Sequence, residues 1–440
     1  MAERRTIEVG ALARVEGEGA LHLTVEGDRV LDLRLEIYEP PRFFEGFLRG
    51  RAARELPDLM ARICGICPVA YQMSAVHAVE SIFGTRIDPV VRQLRRLFYC
   101  GEWIESHVLH MVFLAAPDYL GLDDGIAIAK LYPAEVERSL RLRKLGNRIL
   151  SLLGGRPVNP VGACVGGFAR VPTRSEMSAL EADLAHAVQE AEAHLRWIAS
   201  LPIPTRPQEI ELVSLRHPNE YPMNDGRLVS TRGLDLAVAE FDTAFTESQV
   251  PHSTALHCRR RDGGAYLVGP LARLMLNADH LTPAAAAALE ALRPRVPAFD
   301  PAASVLARGI EVLYACEEAL RIAQGYEPPA SPASPFTPRA GVGHGATEAP
   351  RGTLYVRVET DASGDVVEIR IVPPTAQNQA RIEDDLRLLA PGLLARSNDE
   401  ARRTCESAIR DYDPCISCST HFLTLEIERR PAPEDSCEPS

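Results

Sequence analysis

Two Cys-x-x-Cys pairs stand near opposite ends of this 440-residue chain. The first lies in Arg62-Ile63-Cys64-Gly65-Ile66-Cys67-Pro68, the second in Asp413-Pro414-Cys415-Ile416-Ser417-Cys418-Ser419-Thr420-His421. Each pair can present two thiolates to one soft metal ion. If both pairs serve one ion, the fold must carry its two ends to a single point. Four thiolates in a tetrahedral array suit zinc or an iron–sulfur site, although structural zinc pairs usually lie closer together in sequence. Spacing supports a metal and does not name it.

The elements that must hold these thiolates can be read from pattern. Pro68 disfavours a helical Cys67 and suits the first turn of a new helix, which runs over 70–83. Asp413-Pro414 reads as a cap and first helical residue, placing Cys415 and Cys418 in one turn where exposed amides favour thiolate. Further helices are predicted over 54–63, 90–115, 134–153, 175–200, 301–325, 380–389 and 399–411. Their number and short connections suggest a helical bundle core. Leu21, Leu23 and Val25 alternate with polar residues and return through 30–37, a small antiparallel sheet. A second hairpin is expected from 352–359 and 366–372, and a strand over 422–428. The Pro-, Ala-, Ser- and Gly-rich stretch 327–350 reads as an irregular connection. The class is α+β, mostly α. One domain over 1–440 divides into a sheet lobe (1–40), a helical core (51–325), that connection (327–350), a hairpin with the second metal motif (351–421) and a tail (422–440).

Composition narrows the function. The chain is 46% hydrophobic and 25% charged, ordinary for a globular protein. A net charge of −12 argues against nucleic acid as a partner. No apolar run approaches the roughly 18 residues of a membrane span. Arg4-Arg5 is followed by no apolar segment, so the chain reads as cytoplasmic with an unprocessed N-terminus. The remaining cysteines, Cys100, Cys164, Cys258, Cys316, Cys405 and Cys437, are isolated and form no ferredoxin-like run. Neither a dinucleotide-binding Gly-x-Gly-x-x-Gly unit nor a Walker loop is present, so the chain is not expected to bind NAD(P) or ATP itself.

The two cysteine motifs and their flanks resemble the large, catalytic subunit of nickel–iron hydrogenases, nearest to the soluble bidirectional, NAD(P)-linked and sulfhydrogenase group. Further matching segments are Arg14-Val15-Glu16-Gly17, Pro41-Arg42-Phe43-Phe44-Glu45-Gly46, 107–118, Gly154-Gly155-Arg156, Gly166-Gly167-Phe168, Ala349-Pro350-Arg351-Gly352 and 374–378. The resemblance implies that all four thiolates bind nickel. Cys67 and Cys418 also bridge to an iron carrying cyanide and carbon monoxide, and Cys64 and Cys415 are terminal. Heterolytic cleavage of H2 needs a hydride acceptor and a proton acceptor in contact with one molecule, and a terminal thiolate can be the base.

By the same resemblance Glu16 relays the proton from Cys415, and Arg351 hangs over the open metal position, held by Asp118 and Asp413. Thr375 donates to a cyanide. Glu45, the backbone carbonyl of Ile371 and His421 hold a magnesium ion. Arg62 is structural or stabilises thiolate charge. His107, His110 and His77 read as packing or supporting residues rather than ligands. Glu18, Asn159 and Tyr355 depart from the family, which often has histidine there. Electrons must leave through a small subunit with iron–sulfur clusters, and a flavin-containing diaphorase would reach NADP or NAD; a deazaflavin- or sulfur-linked acceptor is the alternative. The family's chain is commonly cut after the second motif's histidine, which here predicts removal of 422–440 by a maturation endopeptidase. A thiolate zinc structural protein and the metal-free quinone-site subunit of respiratory complex I are the rivals. The second lacks the metal cysteines, which this chain keeps.

Overall fold

A computed structural model of the chain describes residues 4–420, apart from 28 and 298. His421, Cys437 and the predicted strand over 422–428 lie outside the described residues. The N-terminal lobe is an antiparallel sheet of β1 (Arg4–Val9), β2 (Gly19–Glu26) and β3 (Arg29–Ile37), in that order. Leu21, Leu23 and Val25 are buried, as their alternation predicts.

Helices form the centre. In chain order they are α1 (Phe44–Leu48), α2 (Leu56–Met60), α3 (Pro68–Phe83), α4 (Pro89–Val108), α5 (Pro133–Gly154), α6 (Arg174–Ser200) and α7 (Ser304–Gln324). α4 packs on α5 and α7, and α7 packs on α6. Trp103, Leu94 and Leu97 of α4 are fully buried in this bundle. α3 begins at Pro68, with Cys67 as its N-cap, as expected. The helix expected over 90–115 stays helical but changes hydrogen-bond pattern after Val108, becoming a π-helix over Leu109–Ala115. The helix expected over 54–63 is shorter: a 3-10 turn (Ala53–Glu55) leads into α2, and the chain then turns to present the first cysteine pair.

Two expectations change. The stretch 51–325 is not helical throughout. It contains β4 (Glu211–Arg216), β5 (Arg227–Ser230), β6 (Phe245–Gln249) and β7 (Leu256–Arg260), with short strands at Asp235–Leu236 and Tyr266–Leu267. Five of the six residues of β4 are buried, so no alternation of apolar and polar residues announces it.

The stretch 327–350 is not irregular to its end either. β8 (Gly341–Ala349) pairs antiparallel with β9 (Gly352–Thr360), which pairs with β10 (Val366–Val372). The expected hairpin is therefore a three-stranded sheet. Its glycines are not breakers but points of close approach. A methyl group at Gly343 would collide with the Ala78 carbonyl oxygen of α3, and one at Gly345 with that of Ser74. The strand lies directly on the helix that begins at the first cysteine pair.

The C-terminal third supplies α8 (Pro374–Leu393), α9 (Asn398–Arg410) and α10 (Ile416–Ser419). α8 starts six residues before the predicted 380, because Pro374 takes the first helical position after Pro373 rather than ending the segment. α9 is closed at its start by a reciprocal cap between Ser397 and Glu400.

Candidate metal centre

The first pair is held at a turn and a helix start. The backbone N–H groups of Ile66 and Cys67 both donate to Cys64 Sγ at 3.3 Å. Glu102 of α4 reaches the start of α3 and accepts from the amides of Val69 (2.6 Å) and Ala70 (3.3 Å). Burial pushes the Glu102 carboxyl well above its ordinary range. This positioning residue was not legible in the sequence, since it is one of two glutamates in a helix that also carries three arginines.

The second pair differs from expectation. Asp413 is not the cap of a helix: it sits in the left-handed region (φ 52), and α10 begins at Ile416 with Cys415 at its N-cap. The chain start pins this turn. Ile416 N–H donates to the Glu16 carbonyl at 2.9 Å, making a bridge between Glu16 and Cys415. Gly17 follows at φ 90, and a Cβ there would stand 2.6 Å from Ile416 Cβ. The Cys415 amide donates to Thr375 Oγ1 of α8 at 3.1 Å.

The two ends of the chain meet. The four sulfurs lie within 4.8 Å of one another. Cys64 and Cys415 are 3.5 Å apart, Cys67 and Cys418 3.4 Å, and Cys415 and Cys418 2.9 Å. All four residues are at most 3% exposed. Hydrogen bonding from Cys415, Cys418 and Cys67 holds Cys64 well below the ordinary thiol range, whereas bonds with Cys418 and Cys64 push Cys415 well above it. Four soft donors in this compass fit a thiolate-bound metal group. No second group of three or more cysteines gathers among the described residues.

Charged groups surround the sulfurs. Glu16 Oε2 stands 3.1 Å from Cys415 Sγ and accepts the Ser417 amide at 3.1 Å. The Ser417 hydroxyl donates to Glu39 Oε2 at 2.9 Å, so a second, half-buried carboxylate continues from Glu16. Glu39 was not singled out from sequence.

Arg351 occupies the tight turn between β8 and β9 and is 2% exposed. It donates to the Asp413 carbonyl (2.8 Å), Asp413 Oδ1 (3.0 Å) and Ser106 Oγ (3.3 Å). Burial opposes its charge, but Asp413 and the thiolates of Cys415, Cys67 and Cys64 raise the guanidinium above its ordinary value.

Other expected residues fall differently. Asp118 does not hold Arg351. It accepts from Arg410 at 2.6 and 2.8 Å and from Arg14, because the π-helix turns it toward α9 and the N-terminal loop. Arg62 is exposed and pairs with Asp58 at 3.2 Å rather than with sulfur. Glu45 lies beside Ile371, but the bond is from the Ile371 N–H to Glu45 Oε1 at 2.7 Å. His107 bonds Glu311 at 2.9 Å and His110 the Arg410 carbonyl at 2.8 Å, so both are supporting residues. With its amide turned so that nitrogen faces them, Asn159 donates to the carbonyls of Ala61 (2.9 Å) and Cys64 (3.2 Å). Tyr355 bonds His344 at 2.9 Å instead.

Known proteins share this plan. The family model described as nickel-dependent hydrogenase matches residues 42–138. Sulfhydrogenase 2 subunit alpha of Pyrococcus furiosus is 33% identical over 427 residues, 95% of this chain and 100% of the relative. Sulfhydrogenase 1 subunit alpha of the same organism is 30% identical over 426 residues, 95% of this chain and 98% of the relative. An NAD+-reducing [NiFe]-hydrogenase solved in the H2-reduced state superposes with a TM-score of 0.87 at 27% identity, covering 96% of this chain and 100% of that one. With its thiolates gathered from both ends and its relatives aligned end to end, the chain belongs to the nickel-dependent hydrogenase family as a large, catalytic subunit, an oxidoreductase acting on H2.

Proposed function

We propose that Cys64, Cys67, Cys415 and Cys418 would hold a nickel–iron group, Cys67 and Cys418 serving both metals and the iron carrying cyanide and carbon monoxide, and that this group would supply heterolytic, reversible cleavage of H2. The observation that carries this reading is the convergence of four buried sulfurs from residues 64–67 and 415–418 within 4.8 Å. When bound, the two-metal group supplies the position that polarises H2 and takes up its electrons.

The chain's residues handle the proton. The Cys415 sulfur takes it, and Glu16 at 3.1 Å accepts it from the thiol. The Ser417 amide fixes the Glu16 carboxyl, and the Ser417 hydroxyl leads to Glu39. Arg351 keeps a positive charge beside the sulfurs because Asp413 fixes two of its nitrogens. Thr375 accepts the Cys415 amide on oxygen, which leaves its O–H to donate to a cyanide. A magnesium ion is assigned to Glu45, the Ile371 carbonyl and His421. The approach of Glu45 to Ile371, and the Arg42 amide bonded to the Thr420 carbonyl at 2.8 Å, support it.

Electrons leave through a small subunit with iron–sulfur clusters. A flavin diaphorase passing them to NAD(P) is favoured by the likeness to an NAD+-reducing enzyme, and sulfur as acceptor by the relatives named sulfhydrogenase. No described helix is long and apolar enough to cross a membrane, which accords with a cytoplasmic complex.

Infrared spectroscopy of the purified complex, with metal analysis, tests the reading. Bands of iron-bound cyanide and carbon monoxide, with nickel and iron near one each per chain, are expected. Cys418→Ser should abolish the bands or the nickel. A chain with zinc and neither nickel nor iron would end the proposal.

A further inference from the structure

Away from the four thiolates, His252, His257 and Glu383 bring two imidazole nitrogens and a carboxylate oxygen within 4.8 Å of one another. His252 lies in the loop between β6 and β7, His257 in β7, and Glu383 midway along α8. Glu383 Oε1 stands 2.8 Å from His252 Nε2 and accepts the Leu35 amide of β3 at 3.1 Å, while Arg387 reaches Oε2 at 3.4 Å. Those bonds satisfy Glu383 and one nitrogen of His252. They leave out His257, which is 2% exposed and whose Nε2 has no hydrogen-bond partner among the described residues. A buried polar atom without a partner is costly, and such atoms call for an ion or water to complete them.

We propose that His252, His257 and Glu383 are ligands of a zinc ion, with water as its fourth ligand. Two imidazoles and one carboxylate form a zinc donor set that keeps an open position. An open cleft of about 570 Å³, lined by 249–254 with Ile37 and Tyr38, brings solvent to His252. In a tetrahedral zinc site the ligand atoms sit about 3.4 Å apart, given bonds of about 2.1 Å. His252 Nε2 and Glu383 Oε1, now 2.8 Å apart, must open to that value, and the half-buried loop position of His252 leaves its ring room to turn. The positive charges nearby do not fill the site: Arg387 and Arg259 also face Asp384, at 2.9 and 3.8 Å.

Such an ion ties the loop, β7 and α8 into one unit. Thr375, the second residue of α8, bonds the Cys415 amide, and Glu383 follows about 12 Å further along the helix. The ion thus braces the helix that steadies one catalytic thiolate, without touching the thiolates.

The test uses the purified holoenzyme complex incubated with Zn2+ and then desalted. It is expected to retain about one zinc per chain beyond its nickel and iron, and His252→Ala and His257→Gln are each expected to lose it. Loading with Co2+ in place of zinc should give visible bands of a four-coordinate ion, absent in both variants. His252 is a half-buried loop residue, so its variant keeps the fold even if a change in buried β7 does not. No retained zinc in the wild-type complex, or equal retention in His252→Ala, overturns the proposal. Neither result bears on the infrared bands of the four-cysteine centre, so the two readings fail separately.

Discussion

Single side chains decide what the four-sulfur site can do. Glu16 is in contact with Cys415 and with the Ser417 amide, so its carboxyl has a fixed direction. Glu16→Gln keeps the shape and one acceptor but cannot carry a proton onward. H2/D+ exchange is expected to slow by about 10²–10⁴-fold with the infrared bands unchanged; full exchange in this variant removes Glu16 from the path. The two aspartates separate just as sharply. Asp413→Asn strips the counter-charge from buried Arg351 and should both shift the infrared bands and lower turnover. Asp118→Asn acts on Arg410 and Arg14 instead. It should cost about 1.5–3 kcal/mol of stability, read from denaturation midpoints, and leave the bands in place. Cysteine spacing exposed the ligands in the sequence. It could not show that Asp118 faces α9, because that direction is set by the π-helical turn after α4.

Elements carry these residues to one another, and glycine sets the tightest packing. β8 lies against α3 at Gly343 and Gly345, with no room for side chains. Gly345→Val must force the strand off the helix that starts at Cys67. Destabilisation of about 1–3 kcal/mol or more is expected, seen as a lower thermal midpoint with loss of nickel retention. In sequence the same glycines read as breakers, because close approach of two backbones leaves no local signature. β4 escaped detection for a related reason: a strand buried on both faces has no period-two pattern. The long amphipathic helices, the N-terminal sheet and the proline-started α3 were all legible, since their signals are local.

At the scale of the whole molecule, burial makes stability depend on pH. His107, His110 and His194 are fully buried, and burial depresses them from 6.5 to about 4, 3 and 3. A depressed group contributes stability that is present above its unfolded value and lost as pH falls through its folded value. The three therefore stabilise above about pH 6.5 and lose this as pH falls toward 3. Asp385 and Asp411, raised by burial to about 6, work in the opposite sense: their contribution is present below about 3.8 and lost as pH rises through 6. Glu102, which burial also raises, works in the same sense as these aspartates. The histidine contribution is isolated by variant: His194→Gln should flatten the fall of the thermal midpoint between about pH 6.5 and 4 relative to the parent chain, and an identical fall in both contradicts it. The end of the chain makes a separate prediction. Mass spectrometry of the active, nickel-loaded subunit should show a terminus at His421, and an intact Ser440 would show that 422–440 is retained.

Residue identity alone fixed the chemistry available: four soft thiolates in two close pairs, a carboxylate and a guanidinium in motifs that travel with them, and helices long enough to form a core. Donor type is a property of the side chain, and pair spacing a property of the local turn, so both survive in a linear string. The convergence of residues separated by some 350 positions does not. Only the tertiary structure decided that Glu16 abuts Cys415 and that Arg351 answers to Asp413 rather than Asp118. It also revealed Glu102 at the start of α3 and Glu39 beyond Ser417. Those contacts arise from the packing of distant elements, which sequence order does not encode locally.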